Sequence, residues 1–174
     1  MRKSSKVSNI FLFIASLSGA LWTGSYLLRT FISYWFFEPE DFVLKAFITT
    51  ENMAGITYSL TPVVSTTLIL YLVFITTFIL YIITTDLKLK LNGWLFISLL
   101  IVLVTLPFEA YLMTIDYKMI SFLTSATYDP EMIIDLIRKR FNVLGNFPIV
   151  ILFCYFSLFY FIIFRPFTKK INED

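Results

Sequence analysis

The sequence predicts an all-α integral membrane protein: a four-helix transmembrane bundle with a short extra amphipathic helix in an outer loop. Three observations predict this class. The 174 residues are 58% hydrophobic and have a mean hydropathy of +0.81. Only 15% are charged, against about 25% in a typical soluble domain. Four apolar runs each reach the roughly 20 residues that a helix needs to cross a bilayer. We expect one transmembrane domain over residues 1–174, with spans at about 10–37, 60–83, 91–115 and 141–164.

The first span has two interpretations. Arg2, Lys3 and Lys6 precede its apolar run, and the small residues Ser18-Gly19-Ala20 are typical of a signal-peptidase site. A cleaved signal peptide at residues 1–20 would leave three spans. The apolar run, however, continues to Phe37, which is longer than the apolar core of a signal peptide, and we therefore expect a retained helix.

The connections between the spans differ in length. The turn from Thr85 to Asn92-Gly93 is short, whereas the other two connections run over residues 38–59 and 116–140. In the last one, Asp129-Pro130-Glu131 is typical of a helix start, with Asp as the N-cap and Pro at the first helical position. Ile133, Leu136 and Ile137 follow at helical spacing between charged residues. This pattern predicts a short amphipathic helix that runs on into the fourth span and lies among lipid headgroups.

Basic residues near the ends of the spans predict the orientation. Eight lie at the two termini and in the short second turn: Arg2, Lys3, Lys6, Lys88, Lys90, Arg165, Lys169 and Lys170. Five lie in the other two loops: Lys45, Lys118, Arg138, Lys139 and Arg140. The larger number favours cytoplasmic N- and C-termini, in the cytoplasmic (inner) membrane if the chain is bacterial. The run Arg138-Lys139-Arg140 disagrees with this orientation.

Arg29 and Glu109 are the two charged residues inside the predicted spans. A charge at membrane depth costs several kcal/mol by most estimates, so such residues face protein or water and usually pair. Arg29 lies eight residues before Phe37, and Glu109 lies six residues before Ile115. At 1.5 Å per residue these positions have nearly the same depth. We therefore predict an intramembrane ion pair between Arg29 and Glu109, although Arg29 extending to the headgroups is an alternative.

Polar residues at helical spacing surround this predicted pair. We expect an outward-opening ligand site, with Pro107 and Pro148 beside it as potential helix kinks. Its candidate residues are Ser25, Tyr26, Arg29, Ser33, Glu109, Asp116, Asn142 and Asn146. For the ion pair itself a purely structural role is the favoured interpretation and a ligand or ion site is the alternative, because a buried pair often does no more than fix the register between helices.

Composition removes several classes of function. The chain has no His, which excludes His-ligated haem, most zinc and copper sites, and Ser-His or Cys-His catalysis. The single Cys154 cannot form a disulfide within the chain. A net charge of +2 creates no broad positive electrostatic potential around the protein, so we expect no nucleic acid partner. We also expect no cofactor and no metal site.

The leading hypothesis is a non-enzymatic multi-pass membrane protein, either an accessory subunit or a binder of a small or lipidic ligand. The expected partners are the lipid bilayer and either a second copy of the chain or another membrane protein. An oligomeric channel or transporter component is the alternative, because Ala15/Gly19/Thr23 and Ser16/Ala20/Gly24 form two stripes of small residues at four-residue spacing. A weaker alternative is a membrane-embedded enzyme with Glu109 as acid or base.

Overall fold

The protein is all-helical in the part of the chain that its computed structural model describes, residues 5–39, 42–125, 128–143 and 147–169. These residues contain no β-strand, only isolated bridges between Phe37 and Leu44 and between Asn92 and Thr168. The helices are α1 (Lys6–Trp35), α2 (Met53–Tyr58), α3 (Thr61–Thr84), α4 (Gly93–Leu123), α5 (Pro130–Val143) and α6 (Phe147–Phe164). A short 3₁₀ turn, Leu89–Leu91, precedes α4.

Three helical stretches are long and apolar enough to cross a membrane: Lys6–Trp35, Met53–Thr84 and Gly93–Leu123. They coincide with the first three predicted spans. The fourth predicted span corresponds to α6, whose apolar segment Ile149–Phe164 is shorter than the other three. By length and composition the described part of the chain therefore has three candidate spans and one shorter apolar helix.

The helix ends differ from the predicted span ends at two places. Helix α4 continues beyond Ile115 to Leu123 and so contains Asp116. Helix α6 begins at Phe147 because residues 130–143 form the separate helix α5. The predicted start of α5 is confirmed, and Asp129 Oδ1 accepts a hydrogen bond from the Glu131 amide at 3.0 Å. The predicted continuation of α5 into the fourth span falls on residues 144–146, which lie outside the described residues.

The chain divides into two compact units. Unit 1 comprises Met1–Thr23, Leu70–Pro107 and Ile149–Asp174, and unit 2 comprises Gly24–Ile69 and Phe108–Pro148. Helices α1, α3 and α4 each contribute residues to both units. The expectation of one transmembrane domain over the whole chain stays a prediction.

Aromatic side chains fill the core of unit 1. Trp22 packs with its ring centre 4.7 Å from Tyr155 and 5.1 Å from Tyr71. Gly19 lies against Phe74, where a β-carbon would come within 3.0 Å of the ring. A second cluster contains Leu12, Tyr81, Trp94 and Leu95.

Unit 2 has a core of mixed aliphatic and aromatic side chains. Helix α5 buries Ile133, Ile134 and Ile137 in a cluster that also contains Phe36 and Phe37. Tyr128 donates a hydrogen bond to the Ala54 carbonyl and is also bonded to Thr57. These contacts fix α5 beside α2, and the last turn of α5 carries Arg140 to the charged site described next.

Candidate functional site

The candidate site in unit 2 centres on an ion pair between Arg29 of α1 and Asp116 of α4. Arg29 Nη1 donates to Asp116 Oδ2 at 2.7 Å, and Nη2 donates to Oδ1 at 2.5 Å. Each side chain is only 4% exposed. The two parallel hydrogen bonds make this a bidentate pair, the strongest arrangement between a guanidinium and a carboxylate.

The predicted pairing of Arg29 with Glu109 is therefore corrected to a pairing with Asp116. The predicted third span ends at Ile115, which assigns Asp116 to the boundary between membrane and water. Because α4 runs on to Leu123, Asp116 lies seven residues before the end of its helix, and Arg29 lies six before the end of α1. Measured from the true helix ends, Arg29 and Asp116 are the residues at matching positions.

Arg140 is the third charge of the site, and the sequence prediction missed it. Its Nη1 atom lies 3.6 Å from Asp116 Oδ1, and its guanidinium lies over the Tyr26 ring, 5.4 Å from the ring centre. Burial alone would lower the pKa of Arg140, but the nearby Asp116 carboxylate raises it above the ordinary value. A usable signal was present: Arg140 follows the buried Ile133 and Ile137 at helical spacing, so it lies on the apolar face of α5.

Glu109 is buried near the same charges but is not part of the bidentate pair. Glu109 is 3% exposed, and it lies within electrostatic range of Arg140, Asp116 and Arg29. Its Oε1 atom has no hydrogen-bond partner within the described residues. Arg140 Nη1 likewise has no hydrogen-bond partner there, although it keeps its ion pair with Asp116. Unsatisfied buried polar atoms are uncommon in native structures, so their concentration here marks this region as unusual.

A small cavity of about 30 Å³ adjoins the two arginines. Its lining residues are Tyr26, Arg29, Thr30, Ser33, Ile137, Arg140 and Phe141. A single water needs at least about 10–15 Å³ of such space, so the cavity has room for about two waters or for one small polar group. Guanidinium and hydroxyl groups on its wall suit a hydrogen-bond acceptor that carries negative charge.

The other predicted site residues have different outcomes. Tyr26 and Ser33 line the cavity with Arg29, as proposed. Ser25 lies apart from it and shares a hydrogen bond of 2.8 Å with Thr67. Asn142 is exposed, and Asn146 lies outside the described residues.

The two guanidinium groups are the hydrogen-bond donors that an anion would engage in this site. Within the described residues, no three side chains of the metal-binding types His, Cys, Asp and Glu come together. Asp116 contacts both Arg29 and Arg140, and Glu109 lies within electrostatic range of the same two guanidinium groups. Arg140 Nη1, with no hydrogen-bond partner of its own, is the donor that an additional anionic oxygen would engage.

Comparison with known proteins assigns no family to this site. The chain matches no protein-family model, no curated protein and no solved structure.

Proposed function

We propose that this chain is a non-enzymatic, multi-pass membrane protein that binds the anionic head of a small or lipidic ligand beside Arg29 and Arg140. The observation that carries the proposal is that two largely buried guanidinium groups contact one carboxylate next to a small cavity. The cavity volume favours a single carboxylate group over a larger head, with the rest of the ligand outside it.

Membrane embedding is supported by the apolar side chains that the helices expose. Phe13, Phe31, Ile83, Phe153 and Ile163 are each at least 66% exposed. These side chains lie on apolar helices, the three longest of which are less than half buried over their most apolar stretch, and lipid tails are the environment that covers such side chains at no cost. We include α6 as the fourth span, because its 18 residues extend about 27 Å at 1.5 Å per residue, close to the hydrocarbon thickness.

The predicted orientation, with both termini cytoplasmic, also gains support. Arg138 pairs with Asp135 at 3.1 Å, and Arg140 is buried against Asp116. Two of the five basic residues that opposed this orientation are therefore compensated by acidic neighbours. Three of the eight basic residues that favour cytoplasmic termini lie outside the described residues: Arg2, Lys3 and Lys170.

Single-cysteine labelling tests the orientation. After Cys154→Ser, a cysteine at Lys139 should react with a membrane-impermeant maleimide added outside intact cells, and a cysteine at Lys90 should react only after lysis. Both native side chains are exposed, so accessibility is matched. The reverse pattern would overturn the orientation, and labelling of both cysteines in intact cells would contradict membrane embedding.

Ligand binding is tested with two probes that share one apolar chain, oleate and oleyl alcohol. We expect oleate to raise the melting temperature of the detergent-solubilised protein and oleyl alcohol to have little effect, because only oleate carries a carboxylate. Arg140→Met should weaken oleate binding at least about tenfold, since a hydrogen bond to a charged group contributes about 1.5–3 kcal/mol. The neighbouring exposed residue provides the matched control, Lys139→Met, which should bind oleate normally. Equal effects of the two probes, or normal oleate binding by Arg140→Met, would overturn the proposal.

An oligomeric channel or transporter component is the second candidate. It is favoured by the stripe Ser16/Ala20/Gly24, because Ala20 and Gly24 are exposed and a β-carbon at Gly24 would meet nothing within 4 Å. The other stripe, Ala15/Gly19/Thr23, is buried inside the chain and is not available to form an interface with a second copy. Native mass spectrometry separates the candidates, since an oligomer that Gly24→Leu dissociates would favour the channel component.

Membrane-embedded catalysis by Glu109 is the weakest candidate. Glu109 is buried, and its Oε1 atom has no hydrogen-bond partner within the described residues, so that atom contacts no nucleophile there. An enzyme would lose turnover in Glu109→Gln without losing stability, whereas a binding protein would have no turnover to lose.

A further inference from the structure

The chain reverses direction directly after α6 and returns to the start of α4. Two residues of this short tail, Arg165 and Phe167, have positive φ angles of 45° and 60°. Residues other than glycine rarely adopt this conformation, which costs about 1–3 kcal/mol, so other contacts must hold it in place.

Backbone hydrogen bonds provide those contacts. The Gly93 amide donates to the Phe167 carbonyl at 3.1 Å, and the Lys169 amide donates to the Leu91 carbonyl at 2.9 Å. A β-carbon at position 93 would lie 2.8 Å from Cβ of Phe167, so the tail can approach only because residue 93 is glycine. The turn before α4 and the tail after α6 thus form one joined surface of unit 1.

This joining collects positive charge from two distant parts of the sequence. Lys88 and Lys90 belong to the turn, Arg165 and Lys169 belong to the tail, and all four side chains are exposed. We call these four residues the basic rim. Asp86 is the one acidic residue of the same turn, and Glu173 and Asp174 lie outside the described residues.

Two exposed apolar side chains lie within two residues of the basic rim in sequence. Phe164 and Phe167 are 68% and 70% exposed. The Arg165 guanidinium also lies 5.4 Å from the ring centre of Trp94. Basic groups beside large apolar and aromatic side chains are typical of protein surfaces at the boundary between headgroups and acyl chains.

We propose that the basic rim binds the phosphate groups of anionic lipids, with Phe164 and Phe167 inserted at the acyl boundary. Charge complementarity favours this occupant, because four cations face one described acidic side chain. The apolar neighbours favour lipid over a soluble anion or a nucleic acid, neither of which would cover them. The inference rests on the membrane location in the proposed function, but it is independent of the site at Arg29.

The test is native mass spectrometry of the protein in micelles doped with phosphatidylglycerol or with phosphatidylcholine of the same acyl chains. We expect the protein to retain phosphatidylglycerol preferentially. Lys88→Gln/Lys169→Gln, with one change in each segment, should lower the apparent affinity for phosphatidylglycerol about tenfold or more, since each basic residue near an anionic surface contributes about a fivefold factor. The matched control Lys118→Gln/Lys139→Gln removes two exposed charges from unit 2 and should leave the preference unchanged.

Gly93→Ala tests the joining of the tail to the turn without removing any charge of the basic rim. This variant keeps every basic residue but displaces the tail from the turn, so it should lower the preference at least about twofold by moving two of the four charges away. Normal preference in Gly93→Ala would overturn the assembled rim, and normal preference in Lys88→Gln/Lys169→Gln would overturn any role for its charges.

The remaining outcomes distinguish this inference from the proposed function. Equal retention of both lipids would overturn the rim while leaving membrane embedding intact. A chain that stays monodisperse without detergent and retains neither lipid would contradict the proposed function itself. Displacement of phosphatidylglycerol by excess inorganic phosphate would identify a free-anion site and overturn the lipid assignment.

Discussion

Units 1 and 2 bury polar side chains in different ways. In unit 1 three buried hydroxyls form a neutral network: the Tyr71 and Tyr155 hydroxyls lie 3.0 Å apart, and Thr105 donates to Tyr155 at 3.1 Å. In unit 2 the buried cluster around Arg29 and Asp116 is charged, and Glu109 Oε1 and Arg140 Nη1 have no hydrogen-bond partner within the described residues. The hydroxyls of unit 1 are hydrogen-bonded to each other, whereas the charged network of unit 2 is incomplete, because two of its polar atoms have no hydrogen-bond partner within the described residues.

The incomplete network is the better candidate for function. Burying a charge is costly, and the attraction within a buried ion pair often does no more than offset that cost. A cluster kept only for stability would be expected to satisfy its polar atoms, as the hydroxyls of unit 1 do. The unbonded donor of Arg140 is the feature that supports the proposed binding of an anionic group.

The largest expected effect is that of Asp116→Asn. This change removes the carboxylate that Arg29 and Arg140 share and leaves two buried cations without it. Breaking a buried pair on one side typically costs about 3–5 kcal/mol, and we expect a loss of that size in the free energy of unfolding in micelles. The control Asp135→Asn removes an exposed ion pair on α5 and should cost at most about 1 kcal/mol. Similar losses in both variants would show that the cluster of unit 2 has no special energetic role.

A double-mutant cycle is expected to give the next largest effect. Arg29→Gln combined with Asp116→Asn should show a coupling energy of about 1–3 kcal/mol, because the two side chains share two hydrogen bonds. The matched cycle of Arg29→Gln with Glu109→Gln should show a smaller coupling energy. A larger coupling with Glu109 would restore the pairing that the sequence predicted.

The sequence predicts the helices well because long apolar runs and helix-start residues are local signals. The first three spans and the start of α5 at Pro130 follow from such signals. Asp116 was misplaced because a charge at the end of an apolar run looks the same whether it meets water or a buried arginine. Arg140 was missed for a different reason: it belongs to a run of three adjacent basic residues, and its helical spacing from Ile133 and Ile137, which places it on the apolar face of α5, was not used.

The hydroxyl network of unit 1 is expected to contribute less than the ion pair of unit 2. Tyr155→Phe removes the hydroxyl that contacts both Tyr71 and Thr105, and should cost about 1 kcal/mol in the free energy of unfolding. Tyr160→Phe is the matched control, since Tyr160 is on the same helix and exposed, and should be neutral. A loss in Tyr155→Phe as large as that in Asp116→Asn would contradict the distinction between the two units.

The smallest expected effects concern two glycines of α1, one in each unit. Alanine favours a helix over glycine by up to about 1 kcal/mol, so Gly24→Ala, with open space around the new methyl group, should stabilise the protein by a fraction of that.

Gly19→Ala places its methyl group 3.0 Å from the Phe74 ring. That ring cannot easily move, because Tyr71, Phe78 and Tyr155 pack around it. Overpacking costs about 1–3 kcal/mol, so Gly19→Ala should be net destabilising by about 1 kcal/mol. Thermal unfolding of both variants in one detergent measures the difference, and a stabilised Gly19→Ala would show that the aromatic core of unit 1 is looser than its contacts indicate.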